Sequence, residues 1–252
     1  MSKETRRTVL KAVGSVAVVG TLAGCLGNDE APEAESEPED DTDDETETEE
    51  PEAALRVAHL SPDAPNVDVY IDGDAVLEDV PYREVSEYLE VPAATYDVMI
   101  TAAGDMETVV FDENLEVPAG EFTVAALGEL DDVTEPFDLE VYEDDTSDPG
   151  EDTRVRLVHA APDAPNVDVT VDGEPLFEDV PFGAAGTIEV AAEEYELEIR
   201  PATEAVDGDV VATFDLAPEA GVVYTAFAVG YLEPEDAPAD EAFDLEVVVD
   251  NE

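Results

Sequence analysis

Two stretches of this chain are near copies of each other and lie 100 residues apart. Residues 56–81 align with residues 156–181, and 16 of these 26 positions carry the same amino acid. The repeated unit is as long as a small domain and much longer than the units of a solenoid. The sequence therefore predicts a tandem duplication of one domain, and the two copies are called repeat 1 and repeat 2 below.

Both copies show the period-two alternation of apolar and polar residues that is typical of β-strands. In repeat 1 this pattern covers residues 67–71, and Asp72-Gly73 then provides a tight hairpin turn. No stretch of ten or more residues after Cys25 shows a helical period. We therefore expect an all-β chain with two tandem immunoglobulin-like antiparallel β-sandwich domains, at residues 55–145 and 154–252, joined by a linker at 146–153.

The first 25 residues carry two export signals in the expected order. Arg6 and Arg7 precede an apolar run at residues 12–23, which is too short to span a bilayer. Small residues then lead directly into Cys25, the only cysteine of the chain. This region resembles a twin-arginine signal peptide, residues 1–24, that ends in a lipoprotein lipobox. It predicts export, lipidation of Cys25 and a position on the outer side of the cell membrane. The alternative is a simple membrane anchor with a chance cysteine.

The charge of the chain is extremely negative. The full sequence has a formal net charge of −60. Residues 25–252 hold 68 acids and five arginines, which gives −63, and they contain no lysine. Self-repulsion of this size weakens a compact state unless molar salt screens it. We therefore expect a halophilic protein, with a cation-buffering role as the alternative, and we expect no nucleic-acid partner.

The segment that follows Cys25 differs in composition from both repeats. Residues 29–52 hold 15 Asp and Glu residues, no basic residue and no aromatic residue. Such a segment cannot bury enough apolar surface to offset its ordering entropy. The sequence thus predicts that residues 25–54 form a disordered acidic tether between the lipid and the first domain.

The repeated motif contains the residues that could carry chemistry. His59 and His159 each lie near the end of a first strand, and each precedes a loop with the sequence Pro-Asp-Ala-Pro-Asn. We expect a half-buried histidine that bonds the backbone of this loop, with metal ligation as the alternative. The oxygens of the loops could also hold Ca²⁺, although their spacing does not match an EF-hand. The candidate ligand residues are His59, Asp63, Asn66, Asp68, Asp72, His159, Asp163, Asn166, Asp168 and Asp172.

Two further observations bear on activity. Ser61 lies two residues after His59, but Ala161 occupies its place in repeat 2, so a nucleophile shared by both copies is excluded. Aromatic residues open several strands, namely Tyr96, Phe122, Tyr195 and Tyr224. We interpret them as core anchors whose tyrosine hydroxyls reach a nearby carbonyl, with a carbohydrate-stacking platform as the alternative. The sequence predicts neither an enzyme nor a bound cofactor.

The motifs HLSPDAPNVDVYIDG and HAAPDAPNVDVTVDG, with Asp-Val-Pro at 79–81 and 179–181, resemble the domain of unknown function 4397 family. The resemblance covers about residues 55–142 and 155–249, and it implies an extracytoplasmic β-sandwich with no assigned catalytic residue. The signal and the acidic bias look haloarchaeal. The leading hypothesis is a lipid-anchored cell-surface protein with a binding, adhesion or envelope-structural role, whose partner is a surface glycan or an S-layer protein. The alternative is a solute- or metal-binding lipoprotein that works with a transporter.

Overall fold

The computed structural model describes residues 52–130 and 135–251. The predicted signal peptide, Cys25 and almost all of the predicted tether lie outside the described residues. No α-helix occurs in the described part, whose single helical element is a 3₁₀ turn at Pro234–Asp236. None of its helical segments is therefore long and apolar enough to cross a membrane.

Each repeat folds into two packed four-stranded sheets, which confirms the predicted tandem β-sandwich. In repeat 1 the strand orders are β4 (Leu89–Pro92), β1 (Glu52–His59), β7 (Gly120–Leu127), β8 (Asp138–Glu143) and β3 (Asp74–Val80), β2 (Val67–Ile71), β5 (Ala94–Ala102), β6 (Asp105–Val117). In repeat 2 they are β12 (Ala185–Ala191), β9 (Asp152–His159), β15 (Val223–Val229), β16 (Asp244–Val249) and β11 (Glu174–Val180), β10 (Val167–Val171), β13 (Tyr195–Pro201), β14 (Ala212–Leu216).

The sheet that contains the first strand of each repeat is called its inner sheet. Most neighbouring strands pair antiparallel, but β1 pairs parallel with β7, and β9 pairs parallel with β15. A parallel pair needs a long connection, and here strands β2 to β6, which include the whole second sheet, lie between β1 and β7 in the chain. Residues 52–54, which the sequence analysis placed in the tether, belong to β1 and pair with β4.

Three of the aromatic residues that open strands, Tyr96, Phe122 and Tyr195, anchor the core as expected, whereas the hydroxyl of Tyr224 accepts from the amide of Glu219 at 3.2 Å. The hydroxyl of Tyr96 donates to the carbonyl of Pro92 at 2.6 Å, and that of Tyr195 donates to Ala191 at 2.8 Å. Phe122 is buried. Tyr96, Tyr195 and Tyr224 are half-buried, and no aromatic residue is among the exposed large apolar side chains of the described part.

The two inner sheets pack against each other, and this second apolar layer was not predicted. Alternate residues of β1 point in opposite directions: Val57 belongs to the core of repeat 1, whereas Ala58 belongs to a cluster shared by both repeats. The shared cluster comprises Ala58, Leu60, Ala125, Leu127, Val158, Ala160, Phe227 and Val229. All eight are almost fully buried, so the inner sheets are covered on both faces.

Candidate functional site

The two histidines occupy equivalent positions and bind the loops that follow them. Nε2 of His59 lies 3.1 Å from the carbonyl oxygen of Pro65, and Nε2 of His159 lies 3.1 Å from that of Pro165. Because a carbonyl oxygen can only accept, each Nε2 carries a proton, and Nδ1 of His159 accepts from the amide of Ala161 at 3.3 Å. This is the loop contact expected from the sequence, although both side chains are fully buried and not half-buried.

Burial lowers the pKa of both histidines, because the charged imidazolium loses its hydration there. Below about pH 6.5, the ordinary value, the unfolded chain therefore binds more protons than the folded chain. Linkage then requires the free energy of unfolding to decrease as the pH falls from about 6.5 toward the lowered pKa values. Above that range the histidines are neutral, and their contribution to the free energy of unfolding is fully present.

We expect this decrease to become smaller in the double variant His59→Gln/His159→Gln. Glutamine can still donate to the Pro65 and Pro165 carbonyls, but it does not titrate. The measurement is denaturant unfolding of both proteins at pH 7.5 and pH 5.5 in the same molar salt. Equal pH dependence in the two proteins would show that groups other than the histidines cause it.

Asp63 and Asp163 fasten each Pro-Asp-Ala-Pro-Asn loop to the end of the inner sheet. Both oxygens of Asp63 lie 3.0 Å from the amide nitrogen of Leu130. The oxygens of Asp163 accept from the amides of Leu232 and Glu233, each at 2.8 Å. These carboxylates therefore stabilise the loop by charge-assisted bonds to backbone donors.

Asp68 and Asp168 each bind two turns of the second sheet of their repeat, the sheet that contains β2 or β10. The two oxygens of Asp68 accept from the amides of Asp79 and Gly104, both at 2.8 Å. The equivalent bonds of repeat 2 join Asp168 to the amides of Asp179, at 2.8 Å, and Thr203, at 3.2 Å. Both aspartates are buried, and these bonds satisfy carboxylates that would otherwise be costly to bury.

The remaining residues of the motif also shape turns. Asn66 donates to the carboxylate of Asp79 at 2.8 Å, and Asn166 donates to Asp179 at the same distance. Asp72 accepts from the amide of Asp97 at 3.0 Å. Asp72 and Asp172 both have φ of 51°, the left-handed conformation that the predicted hairpin turn requires.

The candidate histidines thus bind backbone carbonyls, the asparagines bind Asp79 and Asp179, and Asp63, Asp68, Asp163 and Asp168 accept from backbone amides, so these residues do not surround a common centre. Within residues 52–130 and 135–251, no group of three or more His, Cys, Asp or Glu side chains is arranged to hold a metal ion. The repeated motif can organise two loops, and it offers no assembled ligand set.

We expect that Ca²⁺ adds nothing to stability at fixed high ionic strength. A chelating site would raise the free energy of unfolding by about 2.7 kcal/mol at a hundredfold excess over Kd. The measurement is the melting temperature in molar KCl with and without micromolar Ca²⁺. A saturable increase that disappears in Asp63→Asn/Asp163→Asn would contradict this expectation.

A cluster of buried charges joins the two inner sheets, and its geometry is nearly symmetrical. Nη2 of Arg56 lies 2.6 Å from Oδ1 of Asp250, and Nη2 of Arg156 lies 2.6 Å from Oδ1 of Asp144. Each pair joins one repeat to the other. The acids directly follow the last strand of their repeat, and all four side chains are at most 8% exposed. These reciprocal pairs thus connect the repeats across the buried layer.

Two threonines and a tyrosine complete this interface charge cluster. Nε of Arg56 donates to Oγ1 of Thr123 at 2.9 Å, and Nε of Arg156 donates to Thr225 at 3.0 Å. Tyr88 donates to Asp144 at 2.7 Å, and burial together with this bond raises its pKa, so the hydroxyl remains protonated. The buried charges therefore have the additional hydrogen bonds that such pairs need.

The interface charge cluster was not predicted from the sequence. A signal was present, because Arg56 and Arg156 occupy matching positions and residues 25–252 contain only five arginines. Each arginine also lies inside an apolar strand, where a charge is unexpected without a partner. Their acids could not be assigned from the sequence, since Arg56 and Asp250 are 194 residues apart.

A polar cleft of about 450 Å³ opens beside the interface charge cluster. Its walls come from both repeats, with Arg56, Val85, Ser86, Glu87 and Tyr88 from repeat 1 and Val248, Val249 and Asp250 from repeat 2. Its volume lies within the range of small-ligand sites. Neither repeat forms this inter-repeat cleft alone.

Two of the solved structures that match this chain have low sequence identity to it. A family 26 carbohydrate-binding module of Eubacterium rectale Amy13K, solved in complex with maltoheptaose, has 8% identity and a TM-score of 0.26, and the match covers 80% of this chain and 98% of that one. The Bacillus anthracis TIE protein has 11% identity and a TM-score of 0.23, and the match covers 71% of this chain and 34% of that one. A search of curated proteins gives no match.

The family comparison agrees with the duplication seen in the fold. One family model, described as a domain of unknown function, matches residues 53–170 and again residues 153–252. The two matches together span all sixteen strands apart from the first residue of β1. Because this covers most of the chain and both sandwiches, the protein belongs to the domain of unknown function family DUF4397.

Proposed function

We propose that this protein is a lipid-anchored, cell-surface module that binds a component of the cell envelope. The observation that carries the proposal is the inter-repeat cleft, a composite polar surface made by two sandwiches that are joined through a buried layer. A surface of this kind suits recognition, and the polar residues of the repeated motif are engaged in shaping loops.

The anchor and the location rest on sequence. The paired Arg6 and Arg7 and the residues before Cys25 have the form of an exported lipoprotein signal, which supports anchoring on the outer side of the membrane. The acidic composition supports a molar-salt environment, and a surface with this charge favours a glycan or an S-layer protein over nucleic acid as partner. The acidic tether would hold the paired sandwiches away from the lipid.

The variant Cys25→Ser is expected to release the protein from the membrane fraction without changing its melting temperature. The reason is that the thioether to lipid forms at the cysteine sulfur, which serine lacks. The measurement is sedimentation of membranes in molar salt, followed by immunodetection in pellet and supernatant. A variant that remains in the pellet would contradict the lipid anchor.

The released Cys25→Ser protein also tests binding itself. We expect it to associate saturably with isolated cell envelopes in molar salt, and an excess of unlabelled protein should displace it. Association that is absent, or that increases linearly without saturation, would contradict a binding role.

A further inference from the structure

The two arginines of the interface charge cluster differ in the partners of Nη1. In repeat 2, Nη1 of Arg156 donates to the backbone carbonyl of Glu143 at 3.2 Å. In repeat 1, Arg56 uses Nε and Nη2 for Thr123 and Asp250, and no partner for its Nη1 is found within the described ranges. The near symmetry of the interface is therefore broken at this strong donor.

This donor belongs to the inter-repeat cleft. Arg56 is only 3% exposed and yet lines the cleft, so its remaining exposure is directed there. Its guanidinium is fixed by Thr123, by Asp250 and by the ring of Tyr88, whose centroid lies 5.0 Å away. A guanidinium has five N–H donors, and those of Nη1 are free to donate to water or to a ligand in the cleft.

The other groups of the cleft define what such a ligand must offer. The hydroxyl of Ser86 donates to the Glu87 carbonyl at 2.8 Å, and Tyr88 donates to Asp144, so these hydroxyls are already engaged. The carboxylate of Glu87, an exposed residue on the cleft wall, can accept a hydrogen bond. Val85, Val248 and Val249 supply an apolar wall.

The charges around the cleft disfavour an anionic ligand. The cleft is lined by one arginine and two acids, Glu87 and Asp250. Because the whole chain also has a net charge of −60, an anion is repelled. At molar salt the Debye length is about 3 Å, and ions of the solution compete with any charged group of a ligand. Direct hydrogen bonds and apolar contact keep their strength under these conditions.

We propose that the inter-repeat cleft binds a neutral polyhydroxylated ligand, with the saccharide units of a neutral envelope glycan as its chemical class. A sugar hydroxyl accepts from Nη1 of Arg56, another donates to Glu87, and the C–H face of the ring packs on the three valines. This inference rests on the proposed binding function and specifies its ligand.

Isothermal titration of the full-length, detergent-solubilised protein in 2 M KCl tests the ligand class. The probes are neutral oligosaccharides of hexoses and N-acetylhexosamines, and hexuronate oligosaccharides of equal length are the comparison. We expect saturable binding of a neutral oligosaccharide and none of the uronates. Absence of binding by every neutral probe, or a preference for the uronates, would overturn the proposed class.

Two neighbouring valines on β16 provide the variant and its control. Val249 lines the cleft and is 39% exposed, whereas Val247 is 37% exposed on the same strand and is not part of the cleft wall. Val249→Phe is expected to weaken binding of the neutral oligosaccharide at least tenfold, and Val247→Phe should change it less than twofold. Equal effects of the two substitutions, at unchanged melting temperatures, would overturn the assignment to this cleft.

The same pair of variants separates this inference from the proposed function. Envelope association that is saturable and lost in Val249→Phe, without saccharide binding, would overturn the ligand class and leave the binding role in place. Absence of envelope association in the otherwise wild-type Cys25→Ser protein would contradict the binding role itself.

Discussion

Replacing Asp250 by alanine is expected to lower the free energy of unfolding by about 3–5 kcal/mol, because it leaves the buried guanidinium of Arg56 without its carboxylate. The Arg56–Asp250 distance is 2.6 Å, and each side chain is 3% exposed. The substitution also removes the acceptor of the Thr225 hydroxyl, which lies 2.7 Å from Asp250. The measurement is denaturant unfolding in molar salt.

Asp244→Ala is the matched control for this prediction. Arg83 and Asp244 also join the two repeats, at 2.8 Å, but their side chains are 25% and 50% exposed. An ion pair in contact with water contributes about 0–1 kcal/mol, so the control should have a small effect. If the two substitutions destabilise equally, burial of the interface charge cluster does not determine its contribution.

The interface also predicts the form of the unfolding curve. Separating the repeats would expose the eight apolar side chains of the shared cluster as well as two buried ion pairs. We therefore expect both repeats to unfold in one transition, and Asp250→Ala to shift this transition as a whole. Two separate transitions in the wild-type protein would show that the repeats are stable independently.

Lowering the salt concentration from 2 M to 0.1 M is expected to reduce stability strongly. At 0.1 M the Debye length is about 10 Å, so carboxylates on neighbouring strands repel one another across the sheets. Residues 25–252 have a net charge of −63, and every loss of about 3 kcal/mol lowers Tm by roughly 6–12 °C in a domain of this size. The measurement is thermal unfolding of the full-length protein at a series of KCl concentrations.

Sucrose at matched osmolarity is the control for the salt series. It changes hydration but does not screen charge, so it should not replace KCl at 0.1 M salt. A Tm that stays constant between 2 M and 0.1 M KCl would contradict charge repulsion as the dominant salt effect. It would also remove the support for a halophilic protein that the acidic composition gives.

The scarce positive charges of the chain are concentrated at the contact between the repeats. All five arginines of residues 25–252 form an ion pair in the described structure, and Arg56, Arg83 and Arg156 pair with an acid of the opposite repeat. Arg154 pairs with Glu189 of its own repeat and with Asp145 at the end of repeat 1, and Arg200 pairs with Glu198 of its own strand. In a chain with so much negative charge, this placement offsets repulsion where the two sandwiches come closest.

Local sequence determined the parts of this protein that depend on neighbouring residues. The duplication and the alternation of residues 67–71 were sufficient to predict two all-β domains, and Asp72-Gly73 marked a hairpin. The loop after His59 is only six residues away, and the carbonyl that Tyr96 reaches is four residues away. Such contacts are fixed by the strand and turn geometry that the local sequence specifies.

The tertiary structure decided which faces are buried and which charges meet. Arg56 and Ala58 lie on the face of β1 that points away from the core of repeat 1. The alternation of residues along β1 is the same whether this face contacts water or another sheet. Only the packing of the inner sheets shows that it meets the second repeat, where Arg56 reaches Asp250 across 194 residues. The parallel pairing of β1 with β7 is equally long-range. The interface charge cluster and the inter-repeat cleft depend on these distant contacts, and a period-two pattern carries no information about them.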